Sequence, residues 1–250
     1  MYHSSPNRVV LGASSLEKNG AGMSERVWSE LWLAVVLLVI ATGLLAHNGT
    51  DLALASRFYQ DGGWPVGDRF PWHQLYLADR YPALLLGICG LVTAVAGWFR
   101  PRLRHLVRPG LFLVLLLALG PGLLVNGVFK DHWGRPRPRE VFQFGGTKPF
   151  LQPWQPGVDG QGRSFPSGHA SAAFYLVAPY FVYRRRRPRL AGLWLGGGLI
   201  YGVLMSYARI TQGGHFLTDC LWAFGVVWLT ALLLAAVIRP DQPDETSSAA

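Results

Sequence analysis

Cysteine is nearly absent from this chain. The two present, Cys89 and Cys220, both sit inside apolar runs, a placement that argues against a disulfide framework and leaves the redox compartment undetermined. Acidic residues are also scarce: 14 Asp and Glu stand against 23 Lys and Arg, a net charge of +9. Such an excess can mark a nucleic-acid binder. Here the basic residues crowd the ends of apolar runs instead, as in the cytoplasmic loops of a membrane protein, so no nucleic-acid partner is expected. No internal repeat is visible, which weighs against a repeat-built transporter. The first 25 residues contain neither a short apolar core nor a small-residue cleavage site, so no cleavable signal is expected and the first apolar run reads as a retained span.

Long apolar runs are what the chain has in abundance. Half of its 250 residues are hydrophobic and the mean hydropathy is +0.23. A run of about 18 or more residues with few charges is long enough to cross a bilayer as a helix. The sequence gives such runs at 27–46, 81–99, 110–129, 166–183, 190–207 and 216–238, and the expected fold is all-α, a six-transmembrane helix bundle. Residues 1–25 read as a disordered cytoplasmic tail, 26–239 as the membrane domain and 240–250 as a cytoplasmic C-terminal tail. Arg100, Arg102, Arg104 and Arg108, then Arg184 to Arg187 with Arg189, then Arg239, place three connections and both termini in the cytoplasm. The segments 47–80, 130–163 and 208–215 are then extracytoplasmic. The first should hold a short interfacial helix near 51–59 and a belt of Trp64, Trp72, Tyr76 and Tyr81. Gly196, Gly197, Gly198 and Gly202 suit close packing of the fifth span on a neighbour.

The extracytoplasmic segments carry more ionisable groups than topology favours, so they need a chemical reason. Lys130 and Arg137 supply fixed charge for the oxygens of a phosphoryl group. Ser167 and Gly168 open a helix, where free amides favour anions. Arg209 can add a two-pronged phosphate contact. His215 and Asp219, four apart, share a helix face. The carboxylate can accept from one ring nitrogen and leave the other free to act as a nucleophile. His169, at another helix mouth, suits a general acid. Each group alone has an ordinary reading as a cap, a turn or a headgroup-binding flank. Together they fall on one membrane face, where ionisable groups are functional candidates.

The pattern Lys130, six residues, Arg137-Pro138; then Pro166-Ser167-Gly168-His169; then Arg209, five residues, His215, three residues, Asp219 resembles the tripartite signature of the type-2 phosphatidic acid phosphatase superfamily. The resemblance implies a membrane phosphatase acting on a lipid phosphate monoester or pyrophosphate in the bilayer. His215 would form a phosphohistidine, Asp219 would orient it, and His169 would be the general acid. Lys130, Arg137, Ser167, Gly168 and Arg209 would hold the phosphate. No metal or other cofactor is implied, no obligate protein partner, and the site would open on the extracytoplasmic side of the inner (plasma) membrane. Ala208 stands where the family often has Ser. Residues around Gly134 to Pro138, Val141, Gly145-Gly146 and Gly213 to Phe216 look like bacterial lipid A phosphatases, with Arg135 and His132 as candidate headgroup readers. A lipid phosphotransferase sharing the phosphoenzyme, a haloperoxidase, and a non-catalytic lipid-binding or transport protein are the competing readings.

Overall fold

A computed structural model describes residues 13–242, with side chains described from residue 25 onward except that of residue 26. The expected tails therefore fall outside the described residues at 1–12 and 243–250. The rest is helical, with no strand among the described residues beyond two isolated bridge pairs. Helix α1 spans Ala13–His47, so residues 13–25, expected as tail, continue the first span's helix. Short helices α2 (Thr50–Ser56) and α3 (Trp72–Ala78) follow in the first connection, and α4 spans Tyr81–Phe99. Helix α5 (Val107–Leu117) widens into a π-type winding over Ala118–Phe129 and closes as the single turn α6 (Lys130–His132). Pro121 lies inside that wider stretch, where its missing N–H breaks the regular ladder. The Pro121 carbonyl in turn accepts from the Asn126 side-chain amide at 2.7 Å.

Five helical stretches are long and apolar enough to cross a membrane: Val27–His47, Trp72–Phe99, Pro101–His132, Pro188–Thr211 and Leu217–Ile238. Their outer faces are studded with exposed apolar side chains such as Trp32, Leu37, Leu85, Trp98, Leu193 and Val203. Such a surface is suited to hydrocarbon and not to water. The segment expected as a fourth span differs. It is broken into α7 (Gly168–Phe174), a 3-10 turn (Tyr175–Val177) and α8 (Ala178–Tyr183), of seven, three and six residues. Pro179 cannot donate to the Tyr175 carbonyl four residues back, so the helix tightens there. At about 1.5 Å per residue it falls short of a hydrocarbon core of about 30 Å.

What α7 and α8 lack in length they make up in burial. Ala170, Ala173, Tyr175, Val177, Ala178 and Phe181 are all enclosed by α9 (Pro188–Thr211), α10 (Leu217–Ile238) and the α5 stretch. Small residues let α9 come close: a Cβ at Gly202 would lie 2.1 Å from the Phe174 ring, and one at Gly198 would lie 2.7 Å from the Val177 amide nitrogen. Gly196 and Gly197 have no neighbour within 4 Å, so only half of the glycine run serves packing. At the arginine-rich end, the buried carboxylate of Asp241 meets Arg184 at 3.1 Å and Arg185 at 2.9 Å. The start of the expected C-terminal tail is thus docked on the bundle.

The 130–163 connection folds back on itself at the opposite end. The Trp133 indole donates to Pro153 O at 3.0 Å and Gly157 N–H to Trp133 O at 2.8 Å. Gly134 has φ +69°, and a Cβ there would lie 2.4 Å from Val158 O. Glycine is required on both counts.

Candidate active site

His215 sits in the turn between α9 and α10, almost fully buried. Gly213 (φ +60°) makes that turn possible against the Trp64 ring, which a Cβ would meet at 2.2 Å. Gly214 lets the chain pass the Arg209 guanidinium, 2.4 Å from where its Cβ would be. The His215 Nδ1 lies 2.7 Å from Ser164 O. A carbonyl only accepts, so Nδ1 carries the hydrogen and Nε2 keeps its lone pair. Burial, helped by Arg209 and Lys130 and opposed by Asp219, lowers the His215 pKa to about 4. The ring is therefore neutral at pH 7.

Asp219 is adjacent but does not meet the imidazole as the four-residue spacing suggested. Its Oδ2 stands 3.8 Å from Nδ1, beyond hydrogen-bond length. That oxygen instead accepts from the Phe216 N–H at 2.7 Å, capping its own helix, and from Ser164 Oγ at 2.6 Å. Ser164 thus stands between acid and imidazole, held through its hydroxyl by one and holding the other through its carbonyl.

Arg135 also departs from expectation. It is fully buried and cannot read a headgroup. It donates to Asp219 Oδ1 at 2.5 Å, to Asp51 Oδ2 at 2.8 Å, to Thr218 Oγ1 at 2.8 Å and to Leu151 O at 2.9 Å. Asp51, from α2, in turn accepts from the Thr218 amide at 2.9 Å and the Thr218 hydroxyl at 2.5 Å. One guanidinium is shared by two carboxylates, and with the Thr218 hydroxyl and the Leu151 carbonyl they satisfy its fork of donors. His132, the other expected headgroup reader, is exposed and lies 3.5 Å from the equally exposed Asp159.

The cations converge as expected. Lys130 Nζ hangs over the first turn of α7, where a Cβ at Gly168 would lie 2.8 Å from it; Asn126 Oδ1 holds it at 3.2 Å. Arg209 is buried, stacks its guanidinium 4.6 Å from the Tyr76 ring centre, and donates to Gln212. The Nε atoms of Arg137 and Arg209 are buried without a hydrogen-bond partner among the described residues. Unpaired interior donors on fixed cations are a strong invitation to an anion. Ser167 is used structurally: its hydroxyl caps α7 by accepting from the Ala170 N–H at 3.3 Å, and its own N–H donates to Asp219 O at 3.1 Å.

His169 belongs to the same cluster: burial first, then its neighbours Arg209, His215, Lys130 and Arg80, push its pKa down to about 2, so its ring is neutral in the free protein. Its Nε2 lies 3.3 Å from Asp79 Oδ2, and its ring stacks on Tyr76 with centroids 5.1 Å apart and planes 23° apart. Sequence reasoning gave no site role to Ser164, Asp51, Asn126, Asp79 or Gln212, and it read Tyr76 as part of an interfacial belt. Asp51 and Asp79 offered one signal, as carboxylates on a segment expected to be extracytoplasmic and rich in aromatic residues. Among the described residues no group of three or more His, Cys, Asp or Glu side chains is arranged to hold a metal ion.

Comparison with known proteins places this geometry. The PAP2 superfamily matches residues 110–242. A lipid A 4'-phosphatase of Francisella tularensis subsp. novicida is 32% identical over 208 residues, covering 78% of this chain and 88% of that protein. A lipid A 4'-phosphatase of Rhizobium leguminosarum is 34% identical over 49% of this chain and 50% of its own length. Phosphatidylglycerophosphatase B of Bacillus subtilis is 31% identical over 49% of this chain and 55% of its own. The crystal structure of a transmembrane PAP2-type phosphatidylglycerolphosphate phosphatase from Bacillus subtilis aligns with a TM-score of 0.47 at 17% identity, over 85% of this chain and 97% of that one. With its motif residues gathered at one end of an apolar helical bundle, this chain is a multi-pass membrane phosphatase of the PAP2 superfamily.

Proposed function

We propose that this phosphatase hydrolyses a lipid phosphomonoester through a phosphohistidine on His215. The observation that carries the reading is a buried, neutral imidazole whose Nδ1 is fixed by Ser164 O, set among Lys130, Arg137 and Arg209 with donors to spare. In the first step Nε2 attacks phosphorus in line with the ester oxygen. The N–P bond forms, the P–O bond breaks, and its electron pair goes to the leaving alkoxide, which takes a proton from His169. In the second step water gives a proton back to His169 as its oxygen bonds to phosphorus and the N–P bond breaks. The three cations stabilise charge on the equatorial oxygens in both steps, the term that dominates phosphoryl transfer. Asp219 acts at one remove, positioning Ser164 and the start of α10.

The named relatives make lipid A-type phosphates the first substrates to test and phosphatidylglycerophosphate the second. An apolar crevice of about 390 Å³, lined by Val39, Phe129, Trp133, Phe165 and Trp222, adjoins Lys130 and Ser164 in sequence and suits an acyl chain left in the bilayer. The arginine-rich helix ends lie away from the site, which favours an extracytoplasmic site in the inner membrane, with the broken α7–α8 segment, too short to span hydrocarbon alone, linking the two sides inside the bundle with its flanking residues. The test is phosphate release from a panel of purified lipid phosphates, beside the His215→Ala protein. The expected result is release by the wild-type protein and none by the variant, with acid-labile phosphoenzyme trapped only in the former. Undiminished release by His215→Ala would overturn the reading.

A further inference from the structure

The family match begins at residue 110, yet one wall of the site comes from before it. Helix α3 and the residue that follows it contribute Tyr76 and Asp79. The Tyr76 ring meets two site residues, stacking on His169 at 5.1 Å and facing the Arg209 guanidinium at 4.6 Å. The buried Asp79 places Oδ2 3.3 Å from His169 Nε2, while its other oxygen is 3.4 Å from Arg80 Nε. A carboxylate against one ring nitrogen, with an aromatic face against the ring plane, fixes both the tautomer and the tilt of an imidazole. Among the described residues the ion pair and the ring stack of His169 both come from this segment, and α3 packs directly on α9, which carries Arg209.

We propose that Asp79 is the positioning residue for His169: it holds Nε2–H, so that Nδ1 is the atom that delivers a proton to the departing oxygen. The proposal rests on the phosphohistidine reading above. Asp79 touches no reacting atom. Burial and the neighbouring cations keep the ring neutral in the free protein; once a phosphate dianion offsets those cations, the carboxylate supports the imidazolium that the P–O cleavage needs, and it keeps the ring aimed once the proton has left. Tyr76 keeps that ring from swinging toward Arg209.

A leaving-group comparison separates this role from a merely structural one. An alkyl phosphate needs its leaving oxygen protonated; a 2,4-dinitrophenyl phosphate does not. kcat/KM reports the steps through the first P–O cleavage, so later dephosphorylation does not enter. Asp79→Asn should lower kcat/KM for a short-chain lipid phosphate by ten-fold or more, within the ~10²–10⁴ that general acid catalysis supplies, and leave the aryl ester near wild type. His169→Ala should show the same pattern, and Asp79→Asn combined with His169→Ala should be no worse than His169→Ala alone. Asp79→Glu should recover part of the loss. Equal losses on both esters, or losses that multiply in the double variant, would overturn the proposal.

A second readout needs no turnover. A downfield imidazole N–H resonance should be present in the wild-type protein in detergent and vanish in both Asp79→Asn and His169→Gln. Its persistence in Asp79→Asn would refute the pairing. A wild-type protein with no activity on either ester would refute the phosphatase chemistry and the acid role with it, while the resonance still decides whether Asp79 holds the ring.

Discussion

Two side chains set the character of the site. His215 is enclosed, and its ordinary affinity for a proton, near pH 6.5, is reduced to about 4 by burial and nearby cations. Protonation would occupy Nε2, so the nucleophile is lost as pH falls through that value and is intact above it. Titration of the His215 ring signals, assigned by their absence in His215→Gln, should give a midpoint near 4; a midpoint near 6.5 would contradict the enclosure described here. Arg135 is the second. Replacing it with Ala strands the carboxylates of Asp51 and Asp219 in the interior, where breaking a buried pair costs on the order of 3–5 kcal/mol. Arg135→Ala should therefore lower the melting temperature in detergent strongly and abolish activity. Arg135→Lys should fall between, because one ammonium cannot span two carboxylates as a guanidinium does. A variant lacking Arg135 that melts as the wild type does would show the network to be dispensable.

At the level of elements, the placement of α7 decides whether the two imidazoles meet. Its N-terminus carries Gly168 and His169 and is pressed by Lys130 on one side, while Phe174 lies against Gly202 of α9 on another. Close backbone approach of this kind is how helices associate in lipid, where no hydrophobic force draws them together. Gly202→Ala drives a methyl into the Phe174 ring and should cost about 1–3 kcal/mol by overpacking, with a fall in kcat as His169 shifts. Gly197→Ala, where a Cβ has no neighbour within 4 Å, is the matched control and should leave both melting and rate unchanged. Equal effects of the two substitutions would remove close α7–α9 packing as the reason for the glycine. The break before Pro179 belongs to this scale too: the apolar run 166–183 reads from sequence as a full span, and run length alone does not reveal that it is cut into pieces.

For the molecule as a whole, the proposed orientation puts Arg187 and the site on opposite sides of the bilayer. In a Cys89→Ser background, Asp159→Cys, on the exposed part of the long connection, should react with an impermeant maleimide in intact spheroplasts. Arg187→Cys should react only after permeabilisation, and the reverse pattern would invert the topology.

Apolar run lengths and the flanking arginines were enough to identify a membrane-embedded helical bundle, because a bilayer demands long uncharged segments and the cytoplasm retains positive charge. Side-chain chemistry and the resemblance of the three motifs pointed to His215, His169, Lys130, Arg137 and Arg209 as candidates, because a phosphoryl group calls for fixed cations and imidazoles at helix mouths. Tertiary structure alone decided which group touches which. Ser164 comes between Asp219 and His215, Arg135 turns inward to Asp51 rather than outward to a headgroup, and α3 brings Asp79 to His169. Those partners, Ser164 and His215, Asp51 and Arg135, Asp79 and His169, are 51, 84 and 90 positions apart in the chain, and no local periodicity couples them. Buried charges take whichever opposite charge the packing delivers, and only the folded bundle fixes that choice.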